Sequence, residues 1–226
     1  MDFYSFIVQN KEAIKLVYAL LVIFICIMIV LKTDRLFRIS EHNGIRYFRN
    51  AFFFFGSGFA IRYFLPLPFN RFDLLPQYSF LIEILFEFAL IIAGFFLLYS
   101  LIWKKFEIRT RSSLLNGRIA VFYAMTLILV LLDFILGFFY LMFLSQIIIF
   151  AYLIVLSYKN YMERGNKHNF PRFYFFAMLL GFFAWFLNAL SALYFKWNNL
   201  MLINTYGFNL IFFLLFLYGV VKVTRE

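Results

Sequence analysis

Long apolar stretches alternate with short polar and basic segments along the whole chain. A helix that crosses a bilayer needs roughly 20 consecutive apolar residues. Lipid offers no partners to open backbone groups, so each stretch should be helical. The pattern predicts separate spans at about Ala13–Leu31, Phe48–Leu65, Tyr78–Trp103, Phe173–Phe195 and Leu200–Val221.

The apolar run from Ile119 to Tyr158 contains a single charge, Asp133. As one helix it would be about 60 Å long, twice the thickness of a hydrocarbon core. It should therefore fold into two spans, with a bend near Gly137. The stretch Pro66–Pro76 reads as a rigid loop because proline fixes the backbone.

Composition agrees with seven spans and excludes a soluble domain. The 226 residues are 65% hydrophobic and only 14% charged, whereas a soluble domain is about half apolar and a quarter charged. We predict an all-α, polytopic membrane bundle of seven transmembrane helices, forming a single domain over residues 1–226. Cys26 is the only cysteine, so no disulfide forms within the chain. No HExxH pair, GxSxG elbow, phosphate loop or Cys/His cluster is present, so neither an enzyme nor a cofactor is indicated.

The basic residues predict the orientation. Sixteen of the 21 lysines and arginines fall on one side of the seven predicted spans. The positive-inside rule puts that side in the cytoplasm, with the amino terminus outside and the carboxyl terminus inside the plasma membrane. The net charge of +10 then belongs to a cytoplasmic rim facing anionic lipid, and we expect no nucleic-acid binding.

A weak internal repeat relates two basic loops and the spans that follow them at a shift of 126 residues. It predicts parallel halves at 10–104 and 136–226, joined by a linker helix at 118–135. This 3 + 1 + 3 plan resembles SWEET sugar transporters and PnuC vitamin transporters in size and topology, although the only Pro-Gln pair, Pro76 and Gln77, lies in a predicted loop. The repeated identities are Arg38, His42, Asn43, Arg46 and Ala51, which match Arg164, His168, Asn169, Arg172 and Ala177.

Polar side chains interrupt six of the spans at similar depth. Counting about 1.5 Å per residue from the cytoplasmic ends puts them roughly 18–24 Å up, in the outer half of the membrane. Polar groups in hydrocarbon are costly and are by default candidates for function. The predicted ligand-binding residues are Arg62, Glu83, Glu87, Asp133, Gln146, Asn188 and Asn209.

The functional hypothesis is a polar pocket that binds and translocates a small polar solute or a cation. Three acids against one arginine give that pocket a surplus of negative charge, and a buried carboxyl there could carry a proton. The alternatives are a seven-helix receptor or sensor acting through a cytoplasmic partner at the basic loops, and a structural subunit of a membrane complex. Structural roles are the alternative for single residues. Arg62 and Glu83 would lie at the membrane interface, or Arg62 would pair with Glu87 to hold helices together. Asp133 would cap the bend near Gly137.

Overall fold

The computed structural model describes residues 10–40, 43–71, 75–103, 117–137, 140–164, 169–195 and 199–225. These residues form helices joined by short connections. The helices are α1 (Lys11–Ser40), α2 (Asn43–Phe64), α3 (Pro66–Arg71), α4 (Leu75–Ile102), α5 (Gly117–Leu136), α6 (Tyr140–Arg164), α7 (Asn169–Leu193) and α8 (Asn199–Arg225).

Every helix except the short α3 is long and apolar enough to cross a membrane, which gives seven spans. The predicted fold class, an all-α bundle of seven transmembrane helices, is confirmed, and the chain is a multi-pass membrane protein. A wide outer surface of large apolar side chains is left for lipid; Phe24 and Ile135 are 60% and 76% exposed.

The bend between the fourth and fifth spans lies where the sequence predicts it. Gly137 follows the end of α5 with a φ of +70°, a conformation that favours glycine because it has no Cβ. Its N–H donates to the Asp133 carbonyl at 2.9 Å, which closes the last turn of α5. The chain then starts α6 at Tyr140.

The prediction of a loop over Pro66–Pro76 is wrong for the described residues of this stretch, while 72–74 lie outside them. Pro66 begins α3, and Pro76 lies in the first turn of α4. Proline is tolerated in a first helical turn because the N–H that it lacks has no partner there in any case. Pro76 and Gln77 are therefore helical rather than part of a loop.

Six of the spanning helices close into a ring. The order of neighbours around it is α1, α2, α4, α6, α7, α8 and back to α1. The remaining span, α5, lies outside the ring and packs against α4 and α6. Moving each helix of the first half onto its counterpart in the second half, α1 to α6, α2 to α7 and α4 to α8, leaves this order of neighbours unchanged.

The buried positions of α1 and α6 have the same spacing. Every buried residue of α1 has a buried counterpart in α6 at a shift of 124 residues. The set in α1 is Tyr18, Ala19, Val22, Ile25, Cys26, Ile29 and Thr33, and the set in α6 is Met142, Phe143, Gln146, Ile149, Phe150, Leu153 and Ser157.

In the next pair of helices the correspondence has the shift of 126 that the repeat predicts. Buried positions of α2 match buried positions of α7, and Phe86 and Leu90 of α4 match Phe212 and Phe216 of α8. The duplication stays a prediction, since it concerns the origin of this pattern. The α2–α7 matches are Phe48, Ala51, Phe52, Phe55 and Gly58 with Tyr174, Ala177, Met178, Gly181 and Ala184.

Candidate functional site: an aromatic cavity at one end of the ring

A cavity of about 320 Å³ lies inside the helix ring, at the end of the bundle where α1 begins. We call this end the amino-terminal end; α2 and α7 also finish there, and α4, α6 and α8 start there. All six ring helices contribute to the wall, and most of the contributing side chains are aromatic. The volume is in the range of pockets that hold small molecules.

The floor of the cavity is a packed aromatic cluster. Phe55 of α2 meets Phe213 of α8 edge to face, with ring centroids 5.7 Å apart, and Phe213 meets Phe212 at 5.1 Å. Farther from the opening, Phe52 continues the cluster against Phe213 and Phe216. Such edge-to-face pairs are favourable beyond their burial, so the cavity ends on a closed aromatic layer.

Gly181 of α7 allows the floor to close. A Cβ at this position would lie 2.4 Å from Cε1 of Phe150 and 2.7 Å from Cε2 of Phe212. Both rings are almost completely buried, at 0% and 3% exposure. The missing side chain therefore lets rings from α6 and α8 approach the α7 backbone closely.

One side of the cavity carries a pair of amides. Asn188 of α7 donates through Nδ2 to Oδ1 of Asn209 on α8 at 3.2 Å, and also to the carbonyl of Ala184 at 2.8 Å. Both asparagines line the cavity. In an apolar interior such groups need partners, and a bound solute could use the free capacity of the Asn209 amide.

Three tyrosines stand between the cavity and the α1–α8 boundary. Tyr18 stacks on Tyr206 with ring centroids 4.1 Å apart, and the Tyr63 and Tyr206 hydroxyls lie 3.4 Å apart. The Tyr18 hydroxyl is buried and makes no hydrogen bond of normal geometry to the described residues, although the Asn209 amide lies near it. A buried hydroxyl facing a cavity is a place for a water or a solute oxygen.

Three cations line the outer part of the cavity: Lys11, Lys15 and Arg62. The Arg62 guanidinium lies over the ring of Phe86, 4.4 Å from its centroid, which fixes its position by a cation–π contact. Lys15 pairs at 2.7 Å with Glu12, whose side chain is 80% exposed. No carboxylate is among the lining side chains of the part of the chain that the structure describes.

The structure brings three of the seven sequence-predicted site residues to this cavity: Arg62, Asn188 and Asn209. The other four are not among its lining residues. Glu83 is exposed on the outer side of α4, and Glu87 is buried at 5% exposure one turn further into the same helix. Asp133, Glu83 and Arg62 all lie within electrostatic range of Glu87.

Asp133 caps the bend, as the structural alternative proposed. Its carboxylate accepts the N–H groups of Leu141 and Met142 at 2.8 and 2.6 Å. These are free donors of the first turn of α6, and a negative charge is favourable at a helix amino terminus. The residue is 2% exposed, so its oxygens are committed to the α5–α6 connection.

Gln146 joins two helices outside the cavity. Its Nε2 donates to the Leu90 carbonyl of α4 at 2.9 Å, and its side chain lies over Gly94, where a Cβ would come within 2.9 Å of Oε1. Oε1 is buried and has no partner in the described part of the chain. The residue connects α4 to α6 as polar side chains do between membrane helices.

Several cavity residues have no part in the sequence-based hypothesis. Tyr18, Tyr206 and Trp185 read as ordinary aromatic members of apolar spans, and Lys11 and Lys15 as flanking charges of the first span. The sequence does place Tyr18 and Lys15 one helical turn apart, on the same face of α1, which is a signal that could have pointed to them. The sequence does not reveal that this face of α1 meets α8.

Some predicted features lie outside the described residues. These are His42 and His168 of the repeat and most of the basic loops proposed as a cytoplasmic docking surface. Within the described ranges, the structure has no group of three His, Cys, Asp or Glu side chains that could hold a metal ion.

Comparison of the chain with protein-family models, with curated protein sequences and with solved structures finds no match.

Proposed function

We propose that the chain is a plasma-membrane protein that binds a small polar solute in the aromatic cavity and moves it across the bilayer. The observation that carries the proposal is the cavity itself, which combines a closed aromatic floor with amides, tyrosines and cations around its opening. A membrane interior tolerates polar groups from several helices at one place where they line a water-filled path or a ligand site.

The arrangement of helices supports transport over a purely structural role. The cavity is lined by all six helices of a ring whose two halves have matching neighbours and matching buried positions. Transporters built from parallel repeats bind substrate between their halves and move one half against the other. The floor is made of rings from both halves, Phe55 from one and Phe212 and Phe213 from the other, so relative motion of the halves would open it.

The orientation belongs to the same proposal. The described basic residues Arg35, Arg38 and Arg49 lie at the end of the ring opposite to the cavity. The positive-inside rule then puts the cavity on the extracytoplasmic side. The solute would enter from outside, and the proposal is of binding and transport rather than catalysis.

The test is solute uptake by the purified protein in liposomes. Osmotic swelling after exposure to gradients of glycerol, sodium lactate or choline chloride reports net entry of each solute, with an ionophore for the counter-ion added for the two salts so that charge balances. Transport predicts protein-dependent swelling with at least one of them. Replacing both cavity amides, with Asn188→Leu and Asn209→Leu, should slow it about tenfold, the effect of losing one to two hydrogen bonds to solute.

Gln146→Leu is the matched control, because it also turns a buried amide into an apolar side chain but lies outside the cavity. Its uptake rate should equal that of the unmodified protein. Equal slowing by both kinds of variant would contradict a path through the cavity. Binding without any uptake would instead indicate the receptor or sensor.

A further inference from the structure

Among the described residues, the charged side chains that line the cavity are positive, although the polar residues of the spans predict a negative pocket. Glu83 is exposed on α4, Glu87 is buried and is not among the lining residues, and Asp133 is committed to the α6 amino terminus. The charged side chains that remain at the cavity are those of Lys11, Lys15 and Arg62.

These cations are only partly neutralised. Lys15 has Glu12 as its partner, but that carboxylate is largely in the open. Arg62 forms no ion pair within 4 Å among the described residues, and its guanidinium lies over the Phe86 ring. Lys11 likewise has no acidic partner within 4 Å in the described part of the chain.

We propose that the ligand of the aromatic cavity is an anion, with a carboxylate or phosphate group held by Arg62 and the two lysines. The inference deepens the function proposed above and rests on it. Arginine suits this role because its planar guanidinium binds two oxygens of such a group at once. The Asn209 amide and the buried Tyr18 hydroxyl would donate hydrogen bonds to the remaining oxygens.

The wall between α1 and α8 suggests two sources for such an anion. An apolar groove of Ile14, Val17, Leu21 and Leu210 runs along the outside of this boundary and shares Tyr18 and Tyr206 with the cavity. A water-soluble anion would enter from the open end. An amphiphile would place its charged head in the cavity and its chain in the groove.

Three ring compounds of equal size test the charge: benzoate, neutral benzamide and cationic benzylammonium. The full chain is placed in nanodiscs of zwitterionic phosphatidylcholine, and binding is followed by the change in tryptophan fluorescence, to which Trp185 at the cavity wall contributes. We expect benzoate to bind at least about tenfold more tightly than benzamide, the effect of one charge pair at intermediate polarity. Benzylammonium should bind more weakly still.

Arg62→Gln should remove most of this preference, lowering benzoate affinity about tenfold and leaving benzamide affinity unchanged. The control is Arg38→Gln, which changes the net charge equally at the opposite end, where the side chain is 80% exposed. Loss of benzoate binding in both variants would overturn the assignment to the cavity.

The outcomes separate this inference from the proposed function. If benzamide or benzylammonium binds as tightly as benzoate, the anion is refuted and solute binding stands. If no compound binds and no solute enters liposomes, both proposals fail.

A second arm identifies the source of the anion. Gly207 borders the groove with open space around it, so Gly207→Phe fills the groove and leaves the cavity intact. If the variant weakens decanoate and not benzoate, the anion carries a lipid-like chain. If it weakens neither, a soluble anion is supported.

Discussion

Replacing Gly181 by alanine should destabilise the floor of the cavity. The added Cβ would lie 2.4 Å from Phe150 Cε1 and 2.7 Å from Phe212 Cε2, whereas carbon atoms in contact are about 3.5–4.0 Å apart. At least one ring must move by about 1 Å to restore that separation. Phe150, the ring closest to the new Cβ, is completely buried and does not line the cavity, so it has no free space to move into, whereas Phe212 borders the cavity.

The magnitude follows from two opposed effects. Overpacking by a methyl group typically costs about 1–3 kcal/mol, and the double clash puts Gly181→Ala at the upper end. Alanine regains about 1 kcal/mol as a better helix former than glycine. The net loss is about 2 kcal/mol, which for a chain of this size lowers Tm by about 4–8 °C.

Thermal unfolding of the purified variants in the same nanodiscs measures this effect. Gly207→Ala is the matched control, because it is also a helical glycine but its Cβ would have no neighbour within 4 Å. We expect its Tm to equal or slightly exceed that of the unmodified protein. A Tm for Gly181→Ala as high as that of Gly207→Ala would refute the close packing of α6 and α8 against α7.

Three further predictions concern the residues between the helices, each measured by the same Tm assay. Asp133→Ala leaves two α6 N–H groups without an acceptor, so it should lower the free energy of unfolding by about 2 kcal/mol. Retained solute uptake would show that Asp133 is a cap rather than a transport residue. An unchanged Tm would contradict the cap. In Gly137→Ala the added Cβ has no neighbour within 4 Å, but alanine is forced to a φ of +70°. The free energy of unfolding should fall by about 1 kcal/mol for alanine and by less for Gly137→Asn. Equal decreases for the two variants would contradict backbone strain. Gln146→Leu loses one interhelical hydrogen bond but also removes a buried acceptor without a partner, so the free energy of unfolding should change by no more than about 1 kcal/mol. Gln146→Ala leaves a void and should lower it by about 2–3 kcal/mol. Similar values for the two variants would show that packing around this residue is loose.

The sequence by itself determined the class, the number of spans and their approximate limits. Length and apolar composition are sufficient for this, because a bilayer sets the length of a helix and forbids open backbone groups. The sequence also predicted the bend at Gly137 correctly, because a 40-residue apolar run is too long for one span and must bend at a residue that allows it. The proline-rich stretch failed because proline breaks a helix interior but starts a helix well.

Only the tertiary structure decided which polar residues meet. Counting residues gives the depth of a side chain but not the direction in which it points, and the spans are apolar on all sides, so periodicity does not orient them. Arg62, Asn188 and Asn209 line the cavity, whereas Asp133 and Gln146 lie at similar depth but serve a helix end and a helix contact. Packing such as that around Gly181 fixes the rotation of each helix about its axis. This rotation decides which polar side chains line the cavity and which form hydrogen bonds within and between helices.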